Sequence, residues 1–361
     1  MKEYFVVGTY SEPILFGTGE FFQGKGKGVY LCVFDDETIR ILDCLPLENP
    51  SFLTINERKK HIYAVNEMKE FRGKYGGGVS DIIYDDEGKL TLVSQFQTDG
   101  ADPCHIAISP DEKIIGIANF ADGKVSIFQT DEKGDILPDK IIFQHEGYSI
   151  NPGRQKGPHA HSILFDEFGY MFVPDLGIDE LKAYDISKGK PVMDEKRTIK
   201  IKGGRGPRTG KWTKNKEHFY LINELESSVT HMTYNKKGFT IHKTESTLPE
   251  EVNVENICAD LHLTKDDKYL YASNRGYDSI AIFDILENGD LKLRKNVSCG
   301  GKTPRNFAIN PSGEYLLVGN QDSDNITIFK IGKDGSLKMI NKVDFPTPVC
   351  INFFKNTWFC E

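Results

Sequence analysis

One short alternating segment recurs along this chain: HIYAVNE at 61–67, IIGIANF at 114–120, YMFVPDL at 170–176, HFYLINE at 218–224, YLYASNR at 269–275 and YLLVGNQ at 315–321. Its sixth residue is Asn66, Asn119, Asp175, Asn223, Asn274 and Asn320, so the copies stand 46 to 56 residues apart. YFVVGTY at 4–10 is a looser first copy. A fixed period of about 50 residues means stacked or radial supersecondary units, because no single unit of that size buries its apolar faces alone.

Each unit carries further segments. A Pro-containing one precedes the Asn segment, as in NPSFLTIN (49–56), DPCHIAIS (102–109), GPRTGKWT (206–213) and TPRNFAIN (303–310). A third follows, as in GVSDIIY (78–84) and SIAIFDI (279–285), and a weaker fourth reads LTLVSQF (90–96) and LKLRKNV (291–297). All are short, rich in β-branched and aromatic residues, and bounded by Gly, Pro, Asn or Asp, which is the pattern of antiparallel strands joined by tight turns. Four strands per repeat is a propeller blade. The chain is therefore expected to be all-β, a seven-bladed propeller with four antiparallel strands per blade and one domain over 1–361. A sandwich or two smaller β-domains would not give seven evenly spaced copies. The chain begins part-way through a blade and ends on a lone inner strand, TPVCINF (347–353), which should pair with residues 4–10, close the ring and remove its open edges.

With 361 residues, 39% of them hydrophobic, the chain can bury a large core. A net charge of -8 argues against a nucleic-acid or membrane-surface partner. No apolar run approaches the roughly 18 residues of a membrane span. MKEYFVVGTYSEP lacks the features of a signal peptide, so a cytoplasmic protein is expected. Seven cysteines (Cys32, Cys44, Cys104, Cys258, Cys299, Cys350, Cys360) contain no CxxC pair and read as mostly buried, unpaired thiols.

In antiparallel blades the start of the first strand and the end of the second lie at the same end. Seven blades bring both around one mouth of the channel. First-strand starts supply His105, His159, His161, Arg208, His262 and Arg305; second-strand ends supply Glu67, Asp175, Glu224, Arg275 and Gln321. His159 and His161, two apart on an expected strand, should share a face. They fit a base or substrate contact, a His-x-His metal site lacking an evident third ligand, or hydrogen bonding to loop backbone. Arg208, Arg275 and Arg305 offer forks for a carboxylate or phosphate, or ion pairs with Glu67, Glu224 and Asp175. Cys104 beside His105 reads as a buried cysteine, because neighbours on a strand face opposite ways. Long connections over 143–158, holding Arg154, and over 246–258 should cross the same mouth.

GPHAHS (157–162), GPR (206–208), NELESSVT (223–230), ADLHLTKDDKYLYASNRGYDSIAIF (259–283) and TPRNFAINPSGEYLLVGNQDSDNITIF (303–329) resemble the seven-bladed lactonase family. That family holds propeller-type 6-phosphogluconolactonases and 3-carboxy-cis,cis-muconate lactonizing enzymes. The resemblance runs from VGTY (7–10) to PVCINF (348–353). It implies a lactone hydrolase of carbohydrate metabolism, in the pentose phosphate pathway, with no metal or cofactor and a small anionic lactone as substrate. It implies catalytic residues at His159 or His161, Arg208, Glu224 and Arg275. Glu67, His105, Arg154, His262, Arg305 and Gln321 are then expected to bind substrate. The family commonly reads GPRH where this chain has Thr209, which puts that strand start in question. A muconate-type cycloisomerase and a non-catalytic sugar-acid or protein-binding propeller are the alternatives. Oligomeric state is not legible.

Overall fold

The computed structural model describes residues 2–16 and 19–355; Trp358 and Cys360 lie outside the described residues. Seven sheets of four or five strands form, each from strands antiparallel to their neighbours. Blade 1 is built from both ends of the chain. Pro348–Phe353 is its inner strand and pairs with Glu3–Thr9, followed outward by Gly28–Asp35 and Thr38–Pro46. Successive blades touch in order through their inner strands, except that blade 4 meets Pro207–Trp212 of blade 5 through its second strand, Tyr170–Asp175; the C-terminal strand meets Leu53–Asn56 of blade 2, so the ring closes as the repeat register requires.

The middle strands explain why the sequence alternates so weakly there. His61–Asn66 and Ile114–Asn119 are buried at every residue, because each lies inside a sheet covered on both faces by neighbouring blades. Only the outer strands, such as Gly238–Ser246, turn much of their length to solvent. Clusters such as Tyr271, Ile280, Phe307, Leu316 and Phe329 fill the wedge between adjacent blades. Each such large apolar side chain contributes on the order of 1.5–3 kcal/mol by burial. Adjacent blades are also latched by hydrogen bonds. The hydroxyls of Tyr63, Tyr220 and Tyr271 donate to the carbonyls of Gly134, Gly289 and Gly335 at 2.6, 2.8 and 2.9 Å. The repeated Asn is such a tie within a blade. Asn119 Nδ2 donates to Ser126, Asn223 Nδ2 to Ser228 and Thr230, and Asn320 Nδ2 to Asn325 and Thr327. Anchoring that residue fixes the next one, which turns to the mouth.

Inner strands are not regular at their starts. Pairing slips by one residue between Pro103 and His105, between Pro207 and Thr209, and between Pro304 and Asn306. Each slip is a β-bulge, which leaves Cys104, Arg208 and Arg305 as extra residues and re-aims their side chains. Strict alternation therefore fails at Cys104 and His105: both line the channel. Blade 4 departs further. Its inner strand is only Leu164–Phe165, and GPHAHS crosses the blade as a loop held by the single bridge Ala160 to Asp175. Thr209 does not disturb blade 5, where Pro207–Trp212 forms and Thr209 pairs with Ile222.

No helix among the described residues is long and apolar enough to cross a membrane. Among the described cysteines none is paired, and all but the half-buried Cys44 are buried.

Candidate active site

Glu224, 2% exposed, is the hub of the mouth. It directly follows the anchored Asn223. Its Oε2 accepts from Arg208 Nε at 3.0 Å and Arg275 Nη2 at 2.8 Å, and its Oε1 accepts from Arg154 Nη2 at 2.7 Å. His161 Nε2 lies 3.6 Å from Oε2. These five groups come from three blades and the connection before residue 158. Two arginines are held twice: Arg208 Nη1 also donates to Ala259 O, and Arg275 Nη2 to Cys258 O at 2.7 Å. Arg154 reaches in because its loop is stapled beneath. The buried Gln155 amide donates to Leu176 O and to Asp179 at 2.8 and 2.6 Å.

Three guanidinium groups around one carboxylate leave a net positive wall facing a cavity of about 200 Å³. Burial alone raises the Glu224 pKa, but Arg275, His161 and Arg154 outweigh it and hold the carboxyl well below its usual range. Burial, with Arg208 beside it, lowers His161 to about 4 against the pull of Glu224. His161 is therefore a neutral imidazole at physiological pH. Burial also lowers Arg275, to about 10, which leaves it cationic.

Opposite this wall stand Glu67 and Arg305. Glu67 accepts from the Tyr10 hydroxyl at 2.9 Å, and Arg305 Nη2 is 3.8 Å from Glu67 Oε1. The Arg305 guanidinium lies 5.4 Å from the ring centres of both Tyr10 and Phe16. Burial would lower its pKa, but Tyr10, Glu67 and Cys104 more than reverse that and raise it. Gln321 also lines the cavity, its amide turned to Asp322 at 2.8 Å.

Three expectations need correction. His159 does not share a face with His161, because the loop of blade 4 lacks strand geometry. Its Nδ1 lies 2.7 Å from Phe120 O and its ring stacks on Phe120 at 4.5 Å, outside the cavity. His105 and His262 are not at the mouth. They line a second cavity of about 250 Å³ deeper in the channel, where His105 stacks on Phe52 at 4.1 Å and His262 Nε2 sits 3.2 Å from Asp260. Asp175 is absorbed structurally: it faces His145 Nδ1 at 2.6 Å and accepts from the backbone N–H of His159 and Gly177. Cys104 is no partner for His105. Its Sγ is 3.7 Å from His161 Nδ1, and burial pushes the thiol far up. His159 and His161 diverge, so no His-x-His pair faces a common ion.

The sequence reading missed an apolar half of the mouth. A hairpin, Pro13–Leu15 with Phe21–Gln23, carries Ile14, Leu15 and Phe16 over the cavity, and Phe120 and Ile257 complete the wall. The triplets ILF and FFQ within 14–23 were the available signal. Ile257, at the end of the long connection expected over the mouth, is the first residue of the inner strand Ile257–Leu263 of blade 6. Asp102, the residue before Pro103, also lines the cavity and was not singled out.

Fold and site together define a propeller with a polar, arginine-rich cavity at one channel mouth. A family model described as "Lactonase, 7-bladed beta-propeller" matches residues 4–353. The chain belongs to the seven-bladed β-propeller lactonase family. It is 34% identical over 309 residues to a 6-phosphogluconolactonase of Formosa agariphila, covering 81% of this chain and 86% of that one. It is 28% identical over 301 residues to the 6-phosphogluconolactonase of Bacillus subtilis, covering 81% and 84%. The solved periplasmic gluconolactonase of Pseudomonas aeruginosa superposes with a TM-score of 0.89 at 25% identity, covering 98% of this chain and 99% of that chain.

Proposed function

We propose that this protein is a lactonase that hydrolyses a sugar-acid lactone at the channel mouth, of the kind named by 6-phosphogluconolactone. The observation that carries this reading is the convergence of Arg275 and Arg154 with Glu224 on a cavity that also holds a neutral His161. Lactone hydrolysis turns a carbonyl oxygen into an oxyanion. Fixed cationic donors aimed at that oxygen, and already held by Glu224, stabilise the charge without reorganising as it develops. Arg275 and Arg154 are the donors at the cavity surface, and Arg208 holds Glu224 from beneath.

Glu224 is itself a poor base, since three arginines stabilise its ionised form. Its role is to fix the guanidinium planes. His161, neutral and lining the cavity, orients the attacking water. Arg305, whose nearest carboxylate oxygen is 3.8 Å away, is the arginine least committed to an internal partner and takes an anionic substituent of the substrate. Phe16 and Phe120 offer ring faces to the C–H face of a sugar ring.

The test is a panel of sugar δ-lactones with and without a 6-phosphate, and a muconolactone, followed by proton release with identification of the product. The reading expects open-chain hydroxy acid from a sugar lactone and faster turnover of the phosphorylated form. Turnover confined to the muconolactone would instead assign the cycloisomerase reaction, and binding without turnover would assign a sugar-acid binder.

A further inference from the structure

The groups already described leave the proton of the attacking water without a suitable acceptor. His161 is a weak base, and Glu224 is saturated by cations. One carboxylate in the same cavity is differently placed. Asp102 is 6% exposed and lines the same cavity as His161 and Phe120. Among the described residues neither of its carboxylate oxygens accepts a hydrogen bond, and its nearest cation, Lys69 Nζ, stands 3.8 Å from Oδ2.

The other blades show how unusual this is. Asn49, Thr303 and Thr347 occupy the same position before a Pro, and like Asp102 they have a left-handed backbone, with φ of 41°, 56° and 42° against 51°. Each of their side chains ties a loop. Asn49 Oδ1 accepts from Ser11 N and Glu12 N at 2.9 and 2.8 Å. Thr347 Oγ1 accepts from Lys25 N and Gly26 N and donates to Tyr10 O. Thr303 Oγ1 donates to Asp322. Among the described residues the Asp102 side chain accepts no hydrogen bond and meets only Lys69 Nζ, at 3.8 Å. The left-handed conformation alone would be met by Asn, without burying an ionisable group.

We propose that Asp102 takes the proton of the attacking water and returns it to the ring oxygen of the lactone. Water oxygen bonds to the carbonyl carbon as one water proton passes to the Asp102 carboxylate, and the former carbonyl oxygen becomes the oxyanion held at Arg275 and Arg154. Collapse restores the carbonyl and breaks the bond to the ring oxygen, which leaves with the proton from Asp102. The products are the open hydroxy acid and the regenerated carboxylate. The inference rests on the lactone-hydrolysis reading above.

The electrostatics agree. Burial raises the Asp102 carboxyl to about 7, with Glu67 and Asp122 adding to the rise and Lys69 opposing it. Cys104, on the strand that follows Asp102, stays a neutral thiol. Asp122 is itself offset by Lys124 at 3.3 Å. A base and acid poised near the working pH is the efficient case for proton transfer.

Two measurements test this. In the pH profile of kcat/KM, the wild type rises through an apparent pKa near 7. Asp102→Asn, isosteric and tolerant of the left-handed backbone, flattens that limb and lowers kcat by roughly 10²–10⁴. An Asp102→Asn enzyme that keeps both the limb and the rate overturns the proposal. If Arg275→Ala abolishes the same turnover, the lactonase reading survives that loss. A wild type that opens no lactone ends both. Independently of activity, infrared difference titration of wild type against Asp102→Asn should show one carboxyl losing its proton near neutrality. An ordinary carboxylate titration overturns the proposal even if the enzyme is active.

Discussion

The two halves of the mouth solve opposite electrostatic problems with the same chemical group, a buried carboxyl. On one side Glu224 is gripped by three arginines and is ionised throughout the physiological range. On the other, Asp102 is nearly as buried but has only a distant lysine and a neighbouring Glu67. Burial penalises both charges alike, and the count of close cations decides which one keeps its proton. One half is therefore a rigid, preorganised electrostatic wall, and the other is a place where a proton can come and go.

The largest effect should come from breaking the cationic half. Glu224→Gln leaves three buried guanidinium groups without their anion. It is expected to lose on the order of 3–5 kcal/mol in denaturant titrations, as broken buried pairs do. In the folded fraction at low temperature it should lose kcat by about 10³, because more than one oxyanion donor is displaced. A stable, active Glu224→Gln protein would remove the hub. Next is His161→Ala, expected to lower kcat by about 10² through loss of the oriented water while the fold is kept.

A smaller effect sharpens the contrast through stability alone. The Asp102 carboxyl has a folded value near 7, above the ordinary carboxylate value of about 3.9. The native state therefore binds more protons than the unfolded chain between those values. Its contribution to stability is present below about 4 and lost as pH rises towards 7. Asp102→Asn should remove that loss, so thermal melts of variant and wild type should diverge in the variant's favour from pH 5 to pH 8. Melts that stay parallel would mean that Asp102 is ionised at no cost. The smallest effect is His159→Gln. Its side chain meets a backbone carbonyl and a phenyl ring outside the cavity, so kcat should be unchanged and stability should fall by about 1 kcal/mol.

The ring, its closure and the common mouth were legible because a 46–56-residue period and two anchored motifs encode them directly. Which residue of a motif faces the mouth was not. Bulges at Cys104, Arg208 and Arg305 break the two-residue alternation on which such a reading depends, and nothing local in PC, PR or PR announces them. The choice between His159 and His161 turned on the loss of the inner strand in blade 4, a tertiary event. His105 and His262 lie below the mouth because a first strand runs down the channel, so a side chain further along it lines the second cavity instead of the first. Asp102 was hidden in plain view. In the sequence it is one more turn residue before Pro, and only the fold shows that, among the described residues, it accepts no hydrogen bond while Asn49 accepts two.

The central claim is that the arginine wall held by Glu224 stabilises the oxyanion of a lactone opening at this mouth. The direct measurement is kcat of Arg275→Ala on the sugar-acid lactone that the wild type turns over, with folding checked by the melt. The account predicts a fall of about 10²–10³, and a rate within about twofold of wild type would contradict it.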